Sequence, residues 1–164
     1  MALRRILRGE DPALHKVCRP VEKFDKRLFT LLNDMKETMY NADGVGLAAS
    51  QVGILRRVVV IDCGDGIIEM INPEITCREG EIGAMEGCLS FPGEQGYVVR
   101  AERVKARAQD RDGEWHEYDA TELFARAIQH EIDHLDGRVY VDIATDPPEG
   151  YLEELENEFE EADE

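Results

Sequence analysis

Residues 129–137 read Gln-His-Glu-Ile-Asp-His-Leu-Asp-Gly, and their types and spacing suit metal-assisted hydrolysis. His130 and His134 are four apart, so on a helix they project from one face and can grip a single ion. Glu131 lies at the edge of that face, within reach of a water but not aimed as a ligand. A divalent ion brings the pKa of water toward neutrality, and such a carboxylate then moves the protons of a hydrolysis. Two histidines are too few, because a catalytic site of this kind has three protein ligands and one open position. The longer pattern His-Glu-x-x-His-x-x-Gly-x-x-His is followed only as far as Gly137, and Tyr140 stands where the third histidine belongs. A metzincin-type peptidase is thereby excluded. His15, in a polar turn, and His116, in an alternating strand, have no motif around them and are expected to be solvated or structural.

The cysteines supply a better third ligand. Cys18, Cys63, Cys77 and Cys88 show no Cys-x-x-Cys spacing, and no stretch reads as a signal peptide or a membrane span. A disulfide framework is therefore not expected. Cys18, Cys63 and Cys77 sit among apolar or strand-like residues and read as small buried hydrophobes. Cys88 lies in Glu-Gly-Cys-Leu-Ser-Phe-Pro-Gly, residues 86–93, whose glycines and proline permit an irregular backbone and close approach to something bound. One thiolate with two imidazoles makes a triad that leaves a fourth position open.

A third segment, Asp43-Gly-Val-Gly-Leu-Ala-Ala-Ser-Gln51, is less specific. A tight turn ahead of a packed strand explains its glycines, and it lacks the third glycine and the following helix of a nucleotide fingerprint. Gln51 is its informative residue, because a side-chain amide can donate to an oxygen that gains negative charge during hydrolysis.

These residues need elements to hold them. The first helix is predicted over 25–40, capped by Asp25, with Leu28, Leu31, Leu32, Met35 and Met39 as its apolar stripe. Strands are predicted at 57–62, 67–71, 97–100, 104–109 and 114–118, with Asp112-Gly113 turning the last pair as an antiparallel hairpin. The metal helix follows over 121–135, with Leu123, Ala127 and Ile128 facing inward and Gly137 just past its end. Helices on one side of mainly antiparallel strands make an α+β fold, with the strands packed around the metal-binding helix. At 164 residues, 43% hydrophobic and 34% charged, the chain can bury one core. Residues 1–145 read as one catalytic domain and 146–164 as an acidic carboxyl-terminal helix or tail.

Residues 44–51, 86–90 and 129–134 resemble, in order and spacing, the three motifs of the peptide deformylases. The likeness runs over roughly residues 4 to 143, including Ile6-Leu7, Asp11-Pro12 and the strand Arg57–Asp62. The resemblance implies a cytoplasmic bacterial enzyme that removes the formyl group from the initiator methionine of new polypeptides. It implies Cys88, His130 and His134 as ligands of one divalent metal, often ferrous iron, with zinc, nickel or cobalt able to substitute. In that scheme water acidified by the metal attacks the formyl carbon and Glu131 is the general base and acid. Gln51 and the backbone N–H of Leu89 stabilise the oxyanion. A methionine pocket walled by Val45, Leu89, Leu123 and Ala127 is implied, with Gly46 bonding the extended peptide. No ligand or catalytic position departs from the family pattern. Ser50 replaces a frequent proline, and Glu122 a frequent glycine ahead of the metal helix, read as a surface difference.

The carboxyl-terminal segment is unusual. From Asp146 to Glu164 there are ten acidic and no basic residues, more than half of the net charge of −17. Leu152, Leu155 and Phe159 recur at helical spacing and are expected to dock a narrow stripe on the body. Some deformylases dock on the ribosome through a basic carboxyl-terminal helix. An acidic one is repelled by RNA phosphates, so that mode is not expected here, although transient proximity to the ribosome is. Neither DNA nor a membrane is an expected partner; the expected one is the nascent N-formylmethionyl peptide. The rival readings are another metalloamidase or peptidase acting on an unformylated substrate, including a relative turned to some other N-acyl group, and a metal-sequestering or structural zinc protein, whose site would need neither Glu131 nor Gln51.

Overall fold

The computed structural model describes residues 2–162. Helix α1, Lys26–Asn41, begins where Asp25 accepts a hydrogen bond from the Leu28 N–H at 3.2 Å, and every residue of its predicted stripe is buried. A five-stranded antiparallel sheet runs in the order β1-β2-β3-β6-β7. Its strands are β1 (Gly46–Ala48), β2 (Val58–Ile61), β3 (Ile68–Glu79), β6 (Arg103–Gln109) and β7 (Trp115–Thr121). Strands β4 (Ile82–Glu86) and β5 (Gly96–Arg100) form a separate antiparallel pair. With helices α2 (Glu122–Leu135) and α3 (Tyr151–Ala162) the fold is α+β.

The helices do not share one side of the sheet as expected. Val58 and Val60 of β2 pack with α1, whereas Val59 and Ile61 pack with Ile128, Ile132 and Leu135 of α2. All four β2 residues are buried, and a strand apolar on both faces needs cover on both. Leu123 does not face inward either; it is 50% exposed, and the inward face of α2 is Ala125, Ile128, Ile132 and Leu135. Cys18 is buried as expected, but Cys63 and Cys77 are only half-buried.

Strand β3 continues well past residue 71. Asn72-Pro73 carries a turn signature, yet here it forms a bulge, with Asn72 at φ 52° and the register with β6 shifting between Ile71 and Glu74. The Asn72 side chain makes the bend tolerable by bonding Val21 N–H (2.7 Å), Val21 C=O (3.0 Å) and Gln109 Oε1 (2.8 Å).

Helix α2 ends at a glycine cap. The Gly137 N–H donates to His134 C=O at 3.1 Å and the Arg138 N–H to Asp133 C=O at 2.9 Å. Gly137 has φ 77°, and a Cβ there would lie 2.9 Å from the His15 backbone. Only glycine satisfies both constraints. At the other end Glu122 has φ 54°, so the position read as a surface difference is exposed but also left-handed.

Helix α3 does not dock its stripe. Leu152 is 50% and Phe159 72% exposed, and no residue of the helix is buried. Its root is held by Tyr151, edge-on to Tyr97 with centroids 5.0 Å apart, and by the Thr145 N–H bonded to Tyr97 C=O.

Candidate active site

His130 and His134 lie one turn apart on the same buried face of α2, their ring centroids 5.0 Å apart. Cys88 follows β4 in the irregular loop that the glycines allow, and its Sγ is 3.3 Å from His134 Nε2. One donor atom from each of the three residues lies within 4.8 Å of the others. Burial and the neighbouring His130 hold His134 well below the ordinary histidine pKa, so its imidazole is neutral, the form that can ligate a metal. Its Nδ1 is buried, without a partner among the described residues.

His130 is aimed by a network that the motifs did not disclose. Its Nδ1–H donates to Glu86 Oε1 at 2.8 Å, which leaves Nε2 for an ion. Burial disfavours a charge on this ring, but hydrogen bonds to Cys88 and Glu86 outweigh that and raise its pKa. Glu86 is held in turn by Arg100 at 2.6 and 2.9 Å and by Arg126 at 2.5 Å. Arg100 also reaches Asp133 at 2.9 Å. Burial would raise the Glu86 pKa, yet the His130 and Arg100 bonds bring it down to about 2. The only local hint was a carboxylate two residues before Cys88; nothing around Arg100 or Arg126 marked them.

The residues that flank the triad are also brought together. Gln51, in the 3₁₀ turn Ala49–Val52, accepts the Ala48 N–H on Oε1 at 2.9 Å. That bond turns its NH₂ toward Ser90 Oγ at 3.1 Å and Cys88 Sγ at 3.4 Å. Among the described residues the Leu89 N–H gives no backbone hydrogen bond, so it remains a donor available to a ligand. Glu131 is buried, and among the described residues Oε1 has no partner. Burial pushes its pKa up to about 7, against the pull of His130 and Arg100. A Cβ at Gly46 would come 2.5 Å from Glu131 Oε2, so glycine is what lets β1 lie so close.

A cleft of about 670 Å³ opens over these groups. Its lining includes Val45, Gly46, Leu89, Leu123 and Ala127, together with Cys88, His130 and Glu131. Val45 and Leu123 are exposed on its walls, which is where apolar side chains await an apolar ligand. β1 is an edge strand of the large sheet, paired among the described residues only with β2, so its other edge is open to an extended peptide. The Tyr140 ring stacks on His130 at 6.0 Å and 28° and meets Phe91 edge-on at 5.6 Å.

The other histidines lie elsewhere. His15 is exposed and bonds Gly9 C=O at 2.8 Å. His116, also exposed, pairs with Asp110 at 2.7 Å; Asp110, Glu114 and His116 form a second group of donor atoms. Asp110 is committed to the β6–β7 turn, accepting the Asp112 and Glu114 N–H groups.

The donor set fits a divalent ion. A soft sulfur and two imidazoles suit iron, zinc, nickel or cobalt, one imidazole is kept neutral by burial and the other is oriented by a carboxylate. Glu131 has an unpaired oxygen in the same cleft.

Comparisons with known proteins agree with this chemistry. The family model for polypeptide deformylase matches residues 3–149. A peptide deformylase of Alkaliphilus metalliredigens is 56% identical over 142 residues, covering 87% of this chain and 97% of its own. The crystal structure of the Thermotoga maritima peptide deformylase has a TM-score of 0.86 at 44% identity, covering 87% of this chain and 98% of that one. That of Ehrlichia chaffeensis in complex with actinonin has a TM-score of 0.86 at 35% identity, over 88% and 90% of the two chains. The chain belongs to the peptide deformylase family.

Proposed function

We propose that this protein hydrolyses the N-formyl group of nascent N-formylmethionyl peptides, releasing formate, through Cys88, His130 and His134 as ligands of one divalent metal. Ferrous iron is the proposed native ion, with zinc, nickel or cobalt as substitutes, and the bacterial cytoplasm the proposed setting. Residues 1–145 form the catalytic unit of this reading and 146–164 an appendage. Among the described residues no helix is long and apolar enough to cross a membrane.

When bound, the ion supplies a Lewis acid that polarises the formyl carbonyl and acidifies water. The chain does the rest. Gly46, on the open edge of β1, pairs with the extended peptide backbone, and Val45, Leu89, Leu123 and Ala127 receive the methionine side chain. Gln51 NH₂ and the Leu89 N–H donate to the oxygen that gains charge at the tetrahedral carbon. Glu131, with a pKa of about 7, takes a proton from water and returns it to the departing amine. The single observation that carries this reading is Glu131 Oε1, buried and among the described residues unpartnered, on a residue that lines the same cleft as Cys88 and His130. A structural metal site needs no such group.

The test is formate release from formyl-Met-Ala-Ser by anaerobically prepared protein, alongside Glu131→Gln. The wild type should turn over one peptide after another. The variant should keep its metal and lose roughly 10²–10⁴-fold in kcat. Metal lost together with activity would mean that Glu131 is a ligand or a folding residue. Formyl-Met peptides should also outrun formyl-Gly peptides, because an empty pocket forgoes burial of a side chain worth about 1.5–3 kcal/mol.

A further inference from the structure

Two aromatic rings join the loop that bears Cys88 to the helix that bears His130. The Phe91 N–H donates to Cys88 C=O at 2.9 Å, so a four-residue turn fixes Phe91 to the ligand three positions before it. The Phe91 ring meets Tyr140 edge-on, with centroids 5.6 Å apart at 86°, and the Tyr140 ring lies on the His130 imidazole at 6.0 Å and 28°. The line of contact thus runs from one proposed ligand to another through two residues that are neither. Each ring is also backed by a glycine. A Cβ at Gly9 would run into the Phe91 ring, and one at Gly96 would come 3.3 Å from Tyr140 Cε2, so backbone lies close against both. Tyr140 is 2% exposed, and among the described residues its buried hydroxyl has no partner. A buried hydroxyl without a partner costs stability, so what this position uses is the ring.

We infer that Phe91 and Tyr140 are positioning residues, which set the Cys88 loop and the His130 ring in place before an ion binds. The inference rests on the deformylase reading and deepens it. The hydrogen bond from His130 Nδ1 to Glu86 fixes one edge of the imidazole but leaves the ring free to swing about that bond. A flat ring against its face removes the swing, so Nε2 keeps its aim. The other end of the pair holds the turn at Cys88, which lies outside any strand or helix, against the element that carries the histidines. An entering ion then has no loop to order, and the affinity that ordering would consume is kept. Leucine at either position fills much of the same space but offers no flat face.

The experiment loads the full chain with cobalt(II), whose visible bands report the geometry of its ligands. Affinity is read by competition with a chelator, and thermal melts of the metal-free chain identify any variant that has lost its fold. Tyr140→Phe keeps the ring and should keep the affinity and the bands of the wild type. Tyr140→Leu and Phe91→Leu should each lose about 10–100-fold in affinity, as when a group that orients a ligand is removed, and should shift the bands. The double leucine variant should lose less than the product of the two single losses, because either change breaks the same bridge. Phe91 is only half-buried, so Phe91→Leu remains a test if Tyr140→Leu fails to fold. Unshifted bands, or a loss below about tenfold, in either folded leucine variant overturn the inference, whatever the melting temperature. So does a double loss that reaches the product. Affinity lost in Tyr140→Phe overturns it as well, since the hydroxyl and not the ring would then be acting. Failure of the wild type to hold one equivalent of cobalt(II) overturns the deformylase reading, and the inference with it.

Discussion

Replacing Glu86 by Gln should show that the fold and the metal site depend on one buried carboxylate. Glu86 accepts the His130 N–H and binds Arg100 through both oxygens and Arg126 through one, and both its side chain and that of Arg100 are about 95% buried. A carboxylate moved from 4.5 to about 2 stabilises the folded state by about 3 kcal/mol at neutral pH. The sign follows from the depressed value. This stability is fully present above the unfolded pKa of 4.5 and is lost as pH falls toward about 2. Glu86→Gln keeps an acceptor for His130 but leaves two guanidinium groups short of their counter-charge, at a cost of about 3–5 kcal/mol. Equilibrium urea unfolding of the metal-free protein at pH 7 should record that loss. In acid the wild-type advantage should shrink between pH 4.5 and about 2, where the variant's stability changes less. A competition titration with a chelator should show metal affinity reduced by about 10–100-fold, as expected when the group that orients a ligand is weakened. A variant within 1 kcal/mol of wild type at pH 7, with metal affinity unchanged, would refute the reasoning.

Three further outcomes are expected. Cys88→Ala should abolish stoichiometric metal binding, measured by metal analysis after desalting; a full equivalent of tightly held metal would displace Cys88 from the ligand set. Glu122→Gly should raise stability by about 0.5–1 kcal/mol in thermal melts, since relief of a left-handed φ of 54°, about 1–2 kcal/mol, exceeds the chain entropy glycine adds; a lower melting temperature would mean that its charge at the start of α2 matters more. Ending the chain near Thr145 should leave hydrolysis of formyl-Met-Ala-Ser unchanged, because the site residues all precede Asp142, and ribosome co-sedimentation at low salt should hold or strengthen; binding that requires the tail would point to a basic protein surface instead of RNA.

What could be read from the chain was local, and what could not was tertiary. The α1 stripe and its Asp25 cap, the glycine cap of α2 and the His-Glu-x-x-His pair each depend on neighbours within a turn or two, so spacing alone disclosed them. The strand predicted over 67–71 stops short of the end of β3 because the groups that make the bulge at Asn72 tolerable, Val21 and Gln109, are 51 and 37 residues away. The stripe of α3 has helical spacing, but spacing cannot say whether a surface waits to receive it, and none does here. The same limit applies at the site. The motif names His130 without saying which ring nitrogen faces an ion. That is decided by Glu86, 44 residues away, whose charge is in turn held by Arg100 at a separation of 14 and Arg126 at 40. Gln51 is the exception that proves informative. Its aim is set by the Ala48 N–H three residues before it, so a local turn alone points the amide at Cys88. Identity and spacing therefore locate the chemistry, but the direction in which each group points follows from how near in sequence its partner lies.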